Sequence, residues 1–295
     1  MTMQPPVGSP PTCYRHGSRE THIRCTRCNK PICPDCMNAA SVGFQCPDCV
    51  REGNRTSRPG RTVFGGSIAG ERGTVTYVLI AVNVAIYVLN LVWSLALGAS
   101  PQQVGQIAYG GGGPVLQFFA TEPNGVASGE FYRLITADFV HIGIIHLALN
   151  MYALWLFGRE TERLVGRWRF AVLYLLAGLG GTTLIYLFGS AGAGASASIF
   201  GLFGALIFFF RKLRANIGGL VTVIVLNLVI TFVVPGISIF GHIGGLAAGA
   251  ALGLGLAYAP RGQWRLPVQV GTLVGVFLVL AVLVALRTAA YGVFG

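Results

Sequence analysis

Apolar and polar positions divide the chain into two parts of different character. Up to residue 73 no apolar run exceeds a few residues. Beyond it, seven long apolar runs follow, at 74–98, 140–157, 170–188, 195–210, 217–234, 237–258 and 266–286. A helix needs about 20 apolar residues to cross a bilayer, so the pattern predicts seven spans, the fourth and fifth of them short or closely spaced. Composition agrees. The 295 residues are 53% hydrophobic and only 11% charged, whereas a soluble domain carries roughly 25% charged residues. The expected fold class is an all-α polytopic membrane protein preceded by a small polar module. Residues 1–30 hold no apolar segment of the signal-peptide kind.

A net charge of +11 raises the question of nucleic acid or anionic lipid. The distribution points to topology instead. Ten of the 21 basic residues precede position 73, and nine of the remaining eleven fall in three short connections. Those are Arg159, Arg163, Arg167 and Arg169, then Arg211, Lys212 and Arg214, then Arg261 and Arg265. The other two, Arg133 and Arg287, lie on the opposite side of a seven-span arrangement. The bias predicts a cytoplasmic N-terminus and an outward C-terminus in a cell (plasma or inner) membrane. The connection 99–139 is then outside. At 41 residues it is too long for a passive turn, and its apolar content suits the membrane interface.

All seven cysteines lie between 13 and 49, and with His16 they form four pairs of two-residue spacing: Cys13/His16, Cys25/Cys28, Cys33/Cys36 and Cys46/Cys49. Eight ligands suffice for two tetrahedral zinc ions. Only four residues separate Cys28 from Cys33, which favours interleaving: Cys13, His16, Cys33 and Cys36 on one ion, Cys25, Cys28, Cys46 and Cys49 on the other. The pattern resembles the B-box type of cross-braced zinc module. A unit of this size has too small a core to fold without metal, so both ions are expected to be structural. Thiolate ligands suit a reducing compartment. His22 is left as a spare solvated residue. The expected boundaries are a disordered 1–12, a zinc module at 13–50, a basic linker at 51–73 (Arg51, Arg55, Arg58, Arg61, Arg72), a membrane core at 74–258 and an additional span within 259–295. The module is read as docking a cytoplasmic protein partner or regulating the core. Nucleic acid is disfavoured for lack of an aromatic-basic surface.

The chemistry-bearing residues of the membrane part fall in one layer. In the predicted topology the second, fourth and sixth spans run in the same direction. His141, His146 and Asn150 stand at the start of the second, Ser196 at the start of the fourth and His242 at the start of the sixth. Polar groups in a membrane are costly and are functional suspects. A hydroxyl becomes a nucleophile when a base takes its proton, and Ser196 with His242 meets that requirement if their helices pack closely. Gly241, Gly245, Gly249 and Gly253 recur every four residues, and Ala197 and Gly201 offer a matching small face. Phe200, one turn below Ser196, is placed to stack on His242. His146 and Asn150 share a helical face and, with the Ser196 amide, can stabilise an oxyanion. His141, five residues from His146, falls off that face and is read as supporting the helix entrance or the outer loop. For the same reason His141 and His146 are not expected to present a metal site together. Ser198 turns about 200° from Ser196 on an α-helix and should face elsewhere. No Asp or Glu lies in any predicted span, which makes a Ser-His dyad without an acidic third member the economical form, with no catalytic cofactor.

These motifs resemble the rhomboid family of intramembrane serine proteases. The resemblance runs from about Tyr77 to Tyr258 and rests on Tyr132-Arg133-Leu134-Ile135-Thr136, His141…His146…Asn150, Gly158-Arg159-Glu160, Gly194-Ala195-Ser196 and Gly241-His242-Ile243-Gly244-Gly245. It implies a six-helix core with the seventh span as an addition. It also implies Ser196 as nucleophile, His242 as general base, and His146, Asn150 and the Ser196 amide as the oxyanion site. The expected substrates are transmembrane proteins in the lipid bilayer, cleaved next to small residues. Ala197 departs from the family's usual Gly and tightens the surroundings of the serine. Arg133 is read as supporting, either as an interfacial anchor or by holding the outer loop. Two other readings stand beside this one. One is a catalytically inactive relative that binds membrane clients. The other is a channel or transporter with a zinc sensor, disfavoured by the absence of intramembrane carboxylates.

Overall fold

A computed structural model describes residues 10–56, 60–67 and 73–294, the last three without side chains. The chain forms two compact units, Met1–Pro59 and Gly60–Gly295. Arg58, Arg72 and most of the 1–12 segment lie outside the described residues.

The first unit contains a short 3-10 turn at Pro34–Cys36, a strand pair, β1 (Asn38–Ala39) and β2 (Phe44–Gln45), and an α-helix, α1 (Pro47–Thr56). Pro47 opens the helix, and Asp48 in its first turn pairs with Arg51. The buried interior is small, consisting of six of the cysteines and Ile32 with little else. Residues 51–56 continue α1, so the segment read as linker begins as helix.

The second unit is helical. In chain order it has α2 (Thr74–Ala96), α3 (Pro101–Gly110), α4 (Pro114–Phe119), α5 (Pro123–Ala127), α6 (Arg133–Thr136), α7 (Gly143–Ala153), α8 (Arg159–Val165), α9 (Arg167–Leu187), α10 (Ser196–Leu213), α11 (Gly218–Val233), α12 (Ile239–Tyr258) and α13 (Arg265–Phe294). A single wide turn at Leu154–Gly158 joins α7 to α8 without a break. Among the described residues, α2, α9, α10, α12 and α13 are long and apolar enough to cross a membrane. The remaining two predicted spans are less regular. The second is the later part of a pair bent by 90°, running from 133–139 into 143–165. The fifth, α11, has 16 residues, about 24 Å at 1.5 Å per residue, which is short of a hydrocarbon core of about 30 Å.

The centre is formed by α9, α10 and α12, and small residues let their backbones touch. A Cβ at Gly245 would overlap the Ala197 backbone, one at Gly249 the Gly201 backbone, and one at Gly253 the Ala205 backbone. This ladder of small residues sets the register of α10 against α12. The Ala197 methyl points toward α9, where a Cβ at Gly181 would lie 2.5 Å from it. The extra methyl is thus accommodated by a glycine.

The outer helix α2 is polar inside and apolar outside. Asn83, Tyr87, Asn90 and Ser94 are buried at helical spacing, while Val78, Val82, Val88 and Val92 are exposed, the reverse of a soluble amphipathic helix. Its inner face holds the connection 99–139. Tyr87 Oη donates to the Ala108 carbonyl at 2.6 Å, Asn90 Nδ2 donates to the Gly112 carbonyl, and Asn90 Oδ1 accepts from Val115 N–H. Gly113 has φ +87°, and a Cβ there would lie 2.6 Å from Asn90 Oδ1. The first part of the connection, α3 and α4, is therefore tied to α2.

One buried acid on α8 does structural work. Glu162, fully buried on α8, accepts from Val75 N–H, Thr76 N–H and Thr76 Oγ1 at 2.9–3.0 Å. It thereby caps the N-terminus of α2, which has no side-chain cap of its own. Residues 61–67, read as linker, instead form a tight loop on the second unit. Phe64 is buried against Phe209, with ring centroids 4.8 Å apart, and its carbonyl accepts from Gln269 Nε2.

Candidate active site and metal clusters

The candidate site lies where α7, α10 and α12 begin. Helix α7 starts at Gly143, and its N-cap Ile142 is extended. His141 therefore stands outside the helix, and helical periodicity does not govern where it points. Its ring lies 5.2 Å from that of His146, at 59°. The expectation that the two histidines point apart is corrected by this geometry. His141 Nε2 accepts from Ala195 N–H at 3.3 Å, and Gly194 N–H donates to the Ala137 carbonyl at 2.8 Å. Together they seat the segment leading into Ser196.

His146 packs on that same segment. Its Nδ1 accepts from Ile142 N–H at 3.4 Å, and a Cβ at Gly194 (φ +122°) would lie 2.8 Å from its Nε2. Only glycine permits this approach. Asn150, buried one turn further along α7, donates from Nδ2 to the His146 carbonyl at 2.9 Å. Ser196 is the first residue of α10 and is half-buried, and its N-cap Ala195 offers no side-chain cap. The amide of Ser196 is thus one of the helix's unsatisfied N-terminal donors.

His242 lies in the first turn of α12, whose N-cap Ser238 accepts from Gly241 N–H at 3.1 Å. The imidazole is 7% exposed. Phe200 stacks on it, with centroids 4.0 Å apart and planes at 13°. Phe200 is one turn from Ser196 on the same face of α10. On its other side the ring meets α11, where Thr231 Oγ1 and His242 Nδ1 are 2.6 Å apart. Ser198 faces away, with its hydroxyl 2.9 Å from Asp138 Oδ2 and 2.8 Å from the Tyr174 carbonyl. Arg133 is 8% exposed. It reaches Glu130 at 2.5 Å and donates to the carbonyls of Gln117 and Ala120 at 2.8 and 3.0 Å, so it staples the outer connection.

Sequence reasoning did not single out three of these residues. Thr231 is one of three polar residues in a predicted apolar span, with Thr222 and Asn227, and that rarity was its available signal. Asp138 and Glu162 fell just outside the apolar runs, yet both are buried.

In the first unit the eight predicted ligands gather into two groups, Cys13/His16/Cys33/Cys36 and Cys25/Cys28/Cys46/Cys49. Within each group the ligand atoms lie within 4.8 Å of one another. Several separations, such as Cys28 Sγ to Cys46 Sγ at 3.7 Å and Cys36 Sγ to His16 Nδ1 at 3.5 Å, are close to the edge of a tetrahedron. That edge is about 3.8 Å for metal–sulfur bonds of about 2.3 Å. The donor set therefore fits zinc, and all seven cysteines are free of disulfides. Burial works against ionising Cys13, but backbone N–H groups from Cys33, Arg15 and His16 lower it to about 6. Burial likewise opposes ionising Cys25, and N–H groups from Cys46, Cys28 and Arg27 lower it to about 6. The two clusters thus repeat one design. His22 is exposed and belongs to neither.

These features define a multi-pass helical membrane protein in which Ser196 and His242 lie in the first turns of two helices that pack backbone to backbone, together with a separate unit able to bind zinc. The rhomboid domain family matches residues 128–259. The chain is 38% identical to the rhomboid protease GluP of Bacillus subtilis over 197 residues, covering 63% of this chain and 36% of that protein. It is 38% identical to the mitochondrial RHOMBOID-like protein 6 of Arabidopsis thaliana over 150 residues, 48% of each chain. Over 136 residues it is 33% identical to YdcA of Bacillus subtilis, a rhomboid of which it covers 68%. The chain belongs to the rhomboid family. It spans about a third to a half of the length of the first two of these relatives.

Proposed function

We propose that this chain is an intramembrane serine endopeptidase that cleaves transmembrane segments through Ser196 and His242. The observation that carries the reading is the flat stack of Phe200 on His242, one turn from Ser196, in a pair of helices whose backbones touch from Ala197/Gly245 onward. The stack and the ladder support a reading in which a base and a hydroxyl stand at one level. Membership of a family whose relatives include named proteases adds to it.

In the proposed reaction a substrate helix enters from lipid and unwinds to expose its scissile carbonyl. His242 takes the Ser196 proton as Oγ attacks. The oxyanion is held by the free Ser196 amide with His146 and Asn150. His242 then gives its proton to the leaving amine, and water hydrolyses the acyl-enzyme by the reverse roles. Asp138 is engaged with Ser198, so the dyad has no acidic third member in this scheme. The basic connections favour a cytoplasmic N-terminus and an outward-facing site. We assign zinc to both clusters as a structural ion, holding a module that serves a cytoplasmic protein partner or regulates the core.

The test is cleavage of a model single-span substrate in liposomes by wild type, Ser196→Ala and His242→Ala. Cleavage by wild type alone supports the dyad. Cleavage that survives Ser196→Ala refutes the assignment. Absence of both cleavage and fluorophosphonate labelling in the wild type favours an inactive client-binding relative.

A further inference from the structure

We propose that Thr231 is a positioning residue for His242. Its hydroxyl holds the imidazole in the tautomer that leaves Nε2 free to act as base. The inference rests on the protease reading and extends it to α11, a helix that contributes no residue to the proposed dyad or oxyanion site.

The argument is a count of protons. A hydroxyl has one proton and two lone pairs. Thr231 Oγ1 lies 2.7 Å from the carbonyl of Asn227, one turn back on α11, and 2.6 Å from His242 Nδ1. A carbonyl can only accept, so the Thr231 proton goes to Asn227. The oxygen is then an acceptor toward His242, and Nδ1 must carry the ring's proton. The tautomer of a neutral histidine is set by the partner of one nitrogen, which here leaves the lone pair on Nε2. The chain reads His242 Nδ1–H to Thr231 Oγ1–H to the Asn227 carbonyl.

A threonine bonded to its own i−4 carbonyl is ordinary in membrane helices. Thr222 does the same to Gly218, and Thr161 to Phe157, and neither touches a titratable side chain through that hydroxyl. Thr231 differs in its second bond. It is 3% exposed. Among the described residues it is the one side chain hydrogen-bonded to His242. Phe200 covers the ring plane, and the nearby Ser238 hydroxyl is engaged with Gly241 N–H. When His242 becomes an imidazolium, the same bond stays in place and is strengthened by charge, so no reorientation is required during the reaction.

The test uses the full chain in detergent or liposomes. Thr231→Val keeps the shape and removes the hydroxyl, and Thr231→Ser keeps the hydroxyl. The expected result for Thr231→Val is a kcat about tenfold lower, the loss of one buried hydrogen bond, with KM within about twofold. Thr231→Ser should return kcat to within about threefold of wild type. Wild-type kcat in Thr231→Val, or a serine variant as impaired as the valine, overturns the proposal. The second measurement needs no turnover and no variant: ¹⁵N shifts of the ring nitrogens of His242 in the wild-type protein, at a pH where the ring is neutral. Nδ1 is expected to be the protonated nitrogen, and an Nε2–H tautomer overturns the proposal. If the wild type neither cleaves nor labels with a fluorophosphonate, the protease reading fails, and the ¹⁵N result still decides whether Thr231 sets the tautomer.

Discussion

Phe200 and His242 lie face to face across the contact of α10 and α12, with ring centroids 4.0 Å apart and planes at 13°. The stack fixes the second torsion of an imidazole whose Nδ1 is already engaged by Thr231. An aromatic pair of this kind is worth roughly 0.5–1.5 kcal/mol beyond its area. Phe200→Ala should therefore lower kcat by up to about tenfold, and Phe200→Tyr should retain most of the activity. Steady-state cleavage of a single-span substrate measures both. A Phe200→Ala enzyme with unchanged kcat would show that the ring packs without positioning the base.

The Phe200–His242 stack was legible in the sequence because both residues sit inside regular helices, where a spacing of four fixes a face. The helix ladder was legible for the same reason, since Gly245, Gly249 and Gly253 recur at one turn. His141 was misplaced because it precedes α7, whose start at Gly143 the apolar pattern cannot locate. Thr231 was passed over because nothing local marks a threonine that will meet a histidine eleven residues later in another helix. Asp138 and Glu162 escaped for a related reason. A carboxylate outside an apolar run reads as solvated, and only tertiary packing reveals that one meets Ser198 and the other caps α2.

Ser196 and Ser198 are two residues apart and have different surroundings. The Ser198 hydroxyl is fully buried between Asp138 and the Tyr174 carbonyl. Ser198→Ala removes the hydrogen bond of the buried Asp138 carboxyl, and the cost should be about 1–3 kcal/mol of stability. Fluorophosphonate labelling should persist in the folded fraction. Ser196→Ala should show the opposite, full stability and no labelling. Thermal unfolding and labelling of the two variants provide the comparison. Loss of labelling in Ser198→Ala at wild-type stability would reassign the nucleophile.

The contact of α10 with α12 admits no side chain at Gly249, where a Cβ would overlap the Gly201 backbone. Gly249→Leu must push the helices apart or prevent folding, and overpacking of this kind costs about 1–3 kcal/mol or more. Because Phe200 adjoins Gly201 and His242 lies about two turns before Gly249 on the same interface, cleavage should fall more steeply than stability. Gly271 on α13 has open space around it, so Gly271→Ala should change neither. Thermal stability in detergent and cleavage rate, measured on both variants, test the ladder. A Gly249→Leu protein with wild-type rate and melting temperature would mean that the interface is looser than described.

Glu162 and the two Cys/His clusters represent two ways of fixing local structure, and only the second depends on a ligand. The first unit has little interior beyond Ile32 and its cysteines. Apolar burial of that size does not offset the entropy of ordering about 40 residues. Structural zinc supplies on the order of 10 kcal/mol in small modules. Metal analysis of the full chain should give two equivalents of zinc. His22→Ala should leave that number unchanged, because His22 lies outside both clusters, whereas Cys36→Ala should reduce it. Treatment with a chelator should then raise hydrogen exchange across residues 10–56 while α9, α10 and α12 stay protected. The contrast between the two units is the informative readout, because a general effect of the chelator would raise exchange in both. Stripping both ions without any rise in exchange over 10–56 would show that the module holds its fold by packing alone, and the structural role assigned to the metal would be wrong.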